Sequence, residues 1–234
     1  MATTKPTRKI SRKEKLREDT VATFYARAVG FFDRHKSMVY GAGGAVVVIL
    51  AAVAGLAWMS AQKESRAAEA AAPSIRNYEA GMYREALDGV AGSAGLLEIA
   101  ETFSSTETGN LAHFYAADAL YRLGEFDQAI ELFRQYDKDR DYLGASALAG
   151  EANILEGRGQ HAEAGALYVR AAEFHEDAEF SPRYLVDAGR AFESAGEYGR
   201  AVEIYERVKA EYPDAQVASD ADFLIARASA RVSG

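Results

Sequence analysis

Histidines are the residues of this sequence best suited to acid–base or metal chemistry, but their positions support neither. The four of them, His35, His113, His161 and His175, lie far apart and form neither an HExxH motif nor a pair at metal-ligand spacing. The sequence contains no cysteine, which excludes disulfides, thiolate catalysis and cysteine–zinc sites. We therefore expect no catalytic residue, no metal site and no cofactor.

Carboxylates and glycines do not indicate an enzyme either. Glu176/Asp177 and Asp220/Asp222 are neighbouring acids of the kind that is usual on a soluble surface. The glycines are scattered over helix turns and are not grouped into a phosphate-binding loop. Residues 60–234 contain 17 Lys or Arg and 31 Asp or Glu, a net charge of −14. This charge disfavours binding to nucleic acid. The sequence thus predicts a domain that binds neither nucleic acid nor a small-molecule substrate.

Charge divides the sequence into three parts. Residues 1–38 hold ten Lys or Arg against four Asp or Glu, a net charge of +6, whereas residues 39–59 hold no charged side chain. The whole sequence is 49% hydrophobic and 26% charged, which is typical of a folded protein. We therefore predict a basic cytoplasmic leader over residues 1–38, a transmembrane helix over residues 39–59 and a folded extracytoplasmic domain over residues 60–234.

The uncharged stretch Val39–Met59 has the length of a membrane span. At about 1.5 Å per residue, a helix of this length reaches about 31 Å, and the hydrocarbon core of a bilayer is about 30 Å thick. Tyr40 and Trp58 lie near its two ends, where aromatic side chains favour the headgroup level. The alternatives are a buried soluble helix and a signal peptide cleaved near Ala67–Ala72. The length of the apolar run and of the leader favours an uncleaved anchor.

Basic residues around the span predict its orientation. Arg34 and Lys36 precede it with eight further Lys or Arg behind them, whereas only Lys63 and Arg66 lie close beyond it. Since segments rich in Lys and Arg stay in the cytoplasm, we expect the N-terminus to be cytoplasmic. In a bacterium, the protein would be a single-pass protein of the inner membrane with its C-terminal domain in the periplasm.

Apolar residues recur at helical spacing within the leader. This pattern fits an amphipathic helix that lies on an anionic leaflet or against a partner protein. A solvated leader that only sets the orientation of the span is an equally open alternative. The residues that carry the pattern are Leu16, Val21, Phe24, Tyr25, Ala28, Phe31 and Phe32.

Three stretches of the body share one pattern of residue types. In each, a glycine is followed by Phe, His or Tyr after two residues, by Ala after five and by Phe or Tyr after nine. The glycines are 35 and 37 residues apart, and a small residue lies 12 positions before each paired Ala. The residues of the pattern are Ala117, Gly124, Ala129 and Phe133, then Ala152, Gly159, Ala164 and Tyr168, and finally Gly189, Gly196, Ala201 and Tyr205.

These offsets resemble the tetratricopeptide repeat, a degenerate helix–turn–helix of about 34 residues. The resemblance implies an all-α fold, in which a transmembrane helix is followed by an α-solenoid. Small residues would let paired helices approach closely, glycine would form the turn, and the aromatic residue would fill the seam to the next repeat. A weaker copy covers residues 78–86, and residues 89–109 are predicted to be an insertion or a lengthened connection. Val217–Val232 is predicted to be a closing helix.

The first helices of such repeats line a groove that binds other proteins, and the resemblance implies the same use here. Asn153 matches one position of the groove that clamps a C-terminal carboxylate, but the lysines of that clamp are missing, which disfavours this kind of ligand. The positions that correspond to the groove are Phe114, Asp118, Tyr121, Arg122, Asn153, Glu156, Arg183, Arg190 and Glu193.

The order of leader, span and repeat body is similar to that of the YfgM-like family of ancillary SecYEG translocon subunits. This resemblance implies an anchored scaffold that binds translocon subunits and periplasmic chaperones and helps secreted proteins to emerge. Two other scaffolds are alternatives: a CpoB-like coordinator of the cell envelope or cell division, and a BamD-like outer-membrane assembly factor. The first is normally exported and cleaved, and the second needs a lipid-bearing cysteine that this sequence lacks. An enzyme is a more distant alternative.

Overall fold

The computed structural model describes residue 31 and residues 34–232, and throughout this part of the chain every regular element is a helix. The chain divides into two compact units, Met1–Met59 and Ser60–Gly234. Helix α1, Lys36–Glu79, contains 44 residues and begins in the first unit. The amphipathic helix predicted in the leader lies almost entirely outside the described residues.

The first unit contains the most apolar part of α1. An 18-residue window of this helix has a mean hydropathy of 2.2, and none of the window is buried within the structure. Large apolar side chains such as Val48 and Leu50 are 68% and 62% exposed. Among the described residues, α1 is the one helix that is long and apolar enough to cross a membrane, judged by length and composition.

The described part of the second unit contains the C-terminal part of α1 and nine further α-helices, most of them arranged as consecutive antiparallel pairs. These are α2 (Tyr83–Asp88), α3 (Leu96–Thr102), α4 (Glu107–Arg122), α5 (Phe126–Gln135), α6 (Tyr142–Gly157), α7 (His161–Phe174), α8 (Ser181–Ser194), α9 (Tyr198–Glu211) and α10 (Ala221–Val232). The pairs α4–α5, α6–α7 and α8–α9 coincide with the three copies of the sequence pattern. The predicted all-α fold class is therefore confirmed.

Each of the three pairs turns at a glycine with positive φ. Gly124, Gly159 and Gly196 have φ of 79°, 77° and 78°, a region that residues with a Cβ rarely adopt. In each turn the residue after the glycine donates its N–H to a carbonyl five residues earlier, at 2.8–2.9 Å (for example Glu125 N to Leu120 O). These hydrogen bonds satisfy the last carbonyls of the first helix, which explains why the turn has the same geometry three times.

The paired helices meet at small residues. Ala129, Ala164 and Ala201 are fully buried in the second helices of the pairs. In the first helices, Ala117 and Ala152 are equally buried. Side chains of this size let two helix backbones approach closely, so the sequence pattern corresponds to the contact between the helices.

Residues 89–109 form more than a connection, because they contain α3. Leu96 and Ile99 of this helix are fully buried. The buried Ser74 hydroxyl of α1 donates to Ala94 O at 2.5 Å just before α3. Glu64, also on α1, accepts from the backbone N–H groups of Glu107 and Thr108 at 2.8 and 3.0 Å and so caps the start of α4. The segment therefore belongs to the core of the second unit.

The closing helix begins later than predicted. Gln216–Asp220 forms a 3₁₀-helix, and α10 starts at Ala221. One face of α10 is buried through Leu224 and Ala228, and this face packs beside α9. On the other face Phe223 is 67% exposed. The helix thus caps the last pair, and its outer surface contains both polar and apolar side chains.

Candidate protein-binding surface

The nine predicted groove residues lie on the first helices of the three pairs. Phe114, Asp118, Tyr121 and Arg122 are on α4, Asn153 and Glu156 on α6, and Arg183, Arg190 and Glu193 on α8. Eight of them are exposed or partly exposed, whereas Phe114 is buried.

Phe114 belongs to the core, so its prediction as a groove residue is wrong. Its side chain is 8% exposed, and its ring centroid lies 6.0 Å from that of Phe133 and 5.6 Å from that of Tyr136. The reason is the helical period: Phe114 lies three residues before Ala117, so both point to the same face of α4. That face packs on α5.

Asp118 and Arg122 are tied to the helices that precede α4. Arg122 Nε donates to Asp118 Oδ2 at 2.5 Å, and the Tyr78 hydroxyl donates to the same carboxylate oxygen. The guanidinium carbon of Arg122 lies 5.5 Å from the centroid of the Tyr83 ring, within the range of a cation–π contact. These contacts hold both side chains in fixed positions on the surface.

In the second pair, a tyrosine from α7 bonds to polar groups on α6. The Tyr168 hydroxyl lies 2.9 Å from Asn153 Oδ1 and 3.0 Å from Glu156 Oε2. Burial, followed by the negative charge of Glu156, raises the pKa of Tyr168 above its usual value, so the phenol is a neutral donor. The Asn153 amide donates to Ala149 O at 3.0 Å. The amide of Asn153 is therefore already used within the fold.

The third pair repeats this arrangement. The Tyr205 hydroxyl donates to Glu193 Oε1 at 2.8 Å, and Arg227 of α10 donates to the same oxygen at 2.8 Å. Arg190 pairs with Asp187 at 3.5 Å. Burial raises the pKa of Asp187, Arg190 opposes this shift, and the charge of Glu156 adds to it. Charges on α6 and α8 are thus close enough to influence one another.

Arg183 lies at a different place on the surface. Its guanidinium pairs with Glu179 at 3.3 Å and lies 5.8 Å from the centroid of the Phe180 ring. It also lines a cavity of about 350 Å³ together with Pro182 and Val217. The predicted groove residues therefore do not all meet at one site.

A second cavity, of about 360 Å³, brings together two groove residues from different pairs. Tyr121 of α4 and Asn153 of α6 both line it. The other large side chains of this cavity are not among the predicted groove residues, although Phe126 occupies the aromatic position two residues after the turn glycine. The remaining lining residues are Gly124, Phe126, Asp127, Ile154, Gly157 and Arg158.

The aromatic residues of the pattern use glycines as their packing partners. A Cβ on Gly150 of α6 would lie 2.6 Å from Cζ of Phe133, so Phe133 packs against the first helix of the next pair. A Cβ on Gly189 would overlap the ring of Tyr205, which belongs to the same pair. The hydroxyl of Tyr168 likewise reaches the first helix of its own pair. The two tyrosines thus join helices within a pair.

Within the described part of the chain, no group of three or more His, Asp or Glu is placed to hold a metal ion. His113 lies 3.1 Å from the carbonyl oxygen of Gly109 in its own helix. His161 takes the aromatic position of the second turn, and its Nδ1 atom is buried without a hydrogen-bond partner among the described residues. Both histidines are therefore part of the packing of the helices.

Comparison with known proteins identifies the repeat type. The tetratricopeptide repeat family model matches residues 111–139 and 184–215. The fold is similar to the crystal structure of nearly identical TPR-like repeats assigned to a kinesin light chain of Podosopora anserina, with 18% identity and a TM-score of 0.52. That similarity covers 73% of this chain and 88% of the other, and a point variant of the same repeats gives a TM-score of 0.53 with the same identity and coverage. No curated protein matches the chain.

The matched residues fall on the first and third helix pairs, and the second pair has the same turn, the same buried alanine and the same spacing. The structural similarity extends over 73% of the chain. This chain therefore contains tetratricopeptide repeats and folds as a tetratricopeptide-like α-solenoid.

Proposed function

We propose that this protein is a membrane-anchored scaffold that binds other proteins through its helical repeats. One observation carries the proposal: a helix apolar enough to cross a membrane and a series of tetratricopeptide repeats occur in the same chain. Tetratricopeptide domains mediate protein–protein interactions, and their stacked first helices form an extended binding surface. The exposed aromatic and charged side chains on α4, α6 and α8 suit mixed apolar and polar contacts with a polypeptide.

The anchor is proposed to lie in the inner membrane of a bacterium, with the repeats in the periplasm. The support is the charge distribution, +6 before the uncharged span and −14 after it. The leader would remain in the cytoplasm, where its ten basic residues face the anionic leaflet.

The partners are proposed to be subunits of the secretion translocon and periplasmic chaperones. The support is the resemblance in layout to YfgM-like ancillary subunits. In this role, the anchor holds the repeats near the exit of the channel, and the repeats bind the chaperones that receive the emerging chain. The scaffold thereby raises the local concentration of chaperones near the exit of the channel. A higher local concentration increases the occupancy of weak contacts without any new chemistry.

The anchored state is tested by fusing reporters that are active on only one side of the membrane to Gly234. We expect activity from a reporter that works only outside the cytoplasm. N-terminal sequencing of the mature protein should give the uncleaved chain. Activity of a cytoplasm-only reporter, or a mature chain that starts near Ala70, would contradict the anchor.

The partners are tested by crosslinking in native membranes followed by mass spectrometry. We expect crosslinks from residues 60–234 to translocon subunits or to periplasmic chaperones. Crosslinks only to cell-division or envelope-assembly proteins would replace the translocon assignment with that of an envelope coordinator.

A further inference from the structure

Two equivalent positions of the repeats hold a tyrosine–glutamate pair in the second and third copies but not in the first. Tyr168 bonds to Glu156 at 3.0 Å, and Tyr205 bonds to Glu193 at 2.8 Å. In each case the glutamate lies eight residues before the buried alanine and the tyrosine four residues after it. The first copy has Tyr121 and Phe133 at these positions, so the polar pair is replaced by two aromatic rings.

The replacement leaves Tyr121 beside a cavity. Its ring centroid lies 5.5 Å from that of Phe126, and both rings line the cavity of about 360 Å³ between the first and second repeats. No described residue forms a hydrogen bond with the Tyr121 hydroxyl, in contrast to the hydroxyls of Tyr168 and Tyr205. The first repeat therefore departs from the pattern of the other two at the wall of this cavity.

The polar groups around the cavity are otherwise satisfied within the fold. Arg158 forms an ion pair with Asp127 across the boundary between the repeats. Asn153 donates to Ala149 O and accepts from Tyr168. A charged ligand would thus find no unpaired opposite charge among these described residues, whereas the rings of Tyr121 and Phe126 offer apolar contact.

The size of the cavity suits a large side chain. A volume of about 360 Å³ lies within the range of pockets that hold small organic groups. Phe126 is 46% exposed, so its ring loses contact with water when such a group enters. An apolar anchor in a pocket, with one hydrogen bond to fix its orientation, is the usual chemistry of a strong contact at a protein interface.

We propose that the cavity between the first and second repeats is a socket for one bulky apolar side chain, aromatic or branched aliphatic, from a partner polypeptide. The inference rests on the proposed scaffold function and deepens it, because it names the side-chain class that the repeats select.

The absence of native cysteine allows a direct test by disulfide tethering, because an introduced thiol is the only one in the chain. Gly157→Cys places a thiol at the cavity, and a Cβ at residue 157 meets no atom within 4 Å. Ser194→Cys is the matched control, since Ser194 is exposed and ends α8 as Gly157 ends α6. Each full-length protein, in lipid nanodiscs, is equilibrated in a thiol buffer with disulfides of phenylacetyl-, acetyl- and succinyl-capped cysteamine. Intact mass spectrometry then gives the fraction of each adduct.

At residue 157 we expect the phenylacetyl adduct to exceed the acetyl adduct about tenfold, because the ring is removed from water. The succinyl adduct should show no such gain, and at residue 194 the three adducts should form to similar extents. Equal phenylacetyl enrichment at both positions, or a preference for the succinyl group at residue 157, would overturn the proposal.

Two variants in the Gly157→Cys protein test the wall of the socket. Phe126→Ala removes one ring at a partly exposed position and should reduce the phenylacetyl preference to that of the residue 194 control. Tyr121→Glu places a carboxylate where the other two repeats have Glu156 and Glu193, and it should do the same while helical content stays unchanged. An undiminished preference in the folded variants would show that the adduct binds elsewhere. Because tethering needs no partner, failure of the socket and failure of the translocon assignment are separate results.

Discussion

Glycines inside the repeat helices receive aromatic rings from the helices beside them. A Cβ on Gly165 of α7 would lie 2.6 Å from Cε1 of Phe192, and a Cβ on Gly150 would lie equally close to Phe133. Separations this short do not occur between a real Cβ and a ring, so one of the two helices would have to move. At the residue scale, the stacking of the repeats thus depends on small residues opposite large rings.

The first prediction concerns Gly189, whose Cβ would overlap the Tyr205 ring. Gly189→Ala should lower the free energy of unfolding by about 1–3 kcal/mol, because overpacking outweighs the gain in helix propensity. Gly199→Ala is the control, since residue 199 is an exposed position on α9 with no atom within 4 Å of a Cβ. It should be neutral or stabilising by up to about 1 kcal/mol. Equal thermal melting shifts for the two variants would contradict the packing described here.

His113 provides a test of pH dependence at the same scale. Burial lowers the pKa of its imidazole below the ordinary value of 6.5, although the nearby Gly109 carbonyl opposes this. The unfolded chain therefore binds a proton near pH 6.5 while the folded chain does not. It follows that the free energy of unfolding falls as the pH falls from 6.5 towards the pKa of the folded state.

His113→Gln should remove this contribution. Chemical denaturation gives the free energy of unfolding of both proteins at pH 7.5 and at pH 5.5. We expect the wild type to lose more of this free energy between the two pH values than His113→Gln does. Carboxylates such as Asp187 titrate in both proteins and cancel in the comparison. If the wild type loses as much unfolding free energy as His113→Gln when the pH falls, or less, His113 is not desolvated.

Sequence offsets predict the small residues and turn glycines well but predict the groove residues less well. Alanine and glycine recur because two backbones meet there, and this requirement is visible in the sequence. Whether an aromatic residue faces the core or the surface depends on the angle of its helix, which repeat offsets do not specify. For this reason the offsets assign Phe114 to the groove although it is buried. The departure of Tyr121 and Phe133 from the other repeats is visible in the sequence, but the cavity beside them is not.

At the scale of elements, the identical glycine turns make the three helix pairs alike, and the capping contacts connect them to their neighbours. Thr106 caps α4 by accepting from Gly109 N at 3.0 Å, and Asp141 caps α6 by accepting from Gly144 N at 2.8 Å. Arg207 of α9 pairs with Glu173 of α7 at 3.0 Å across the boundary between repeats. Since each pair contacts mainly its neighbours, the stack should lose stability locally when one element is weakened.

Helix α3 could not be predicted from the repeat pattern, because it has seven residues and lies outside all three copies. Its burial gives an element-scale prediction: Leu96→Ala should destabilise the protein by about 2–5 kcal/mol, since a fully buried side chain leaves a cavity. Val90→Ala, at a position that is 46% exposed, should cost less than about 0.5 kcal/mol. Similar small losses in denaturant for both variants would mean that residues 89–109 are a mere insertion.

At the scale of the whole molecule, an apolar helix and an acidic set of repeats occur in one chain, and we propose that the first anchors the protein and the second binds its partners. The first unit is suited to a membrane through an uncharged stretch of 21 residues, Val39–Met59. The second unit is suited to protein contacts through exposed side chains on α4, α6 and α8. Composition and charge predict this division from the sequence alone, whereas the identity of the partner depends on surface detail that periodicity does not encode.

The central claim, that the repeats bind other proteins at the membrane, is tested most directly by co-purification of the full-length chain from detergent-solubilised membranes. Wild type is compared with Tyr121→Ala/Arg190→Ala, which changes two groove positions, and with the control Phe223→Ala/Arg170→Ala, which removes an exposed aromatic residue on α10 and an exposed arginine on α7. We predict that translocon subunits or periplasmic chaperones co-purify with wild type and with the control. The groove variant should lose them while it keeps its helical content and its membrane insertion. Undiminished recovery with the groove variant, or no such partner with wild type, would contradict the account.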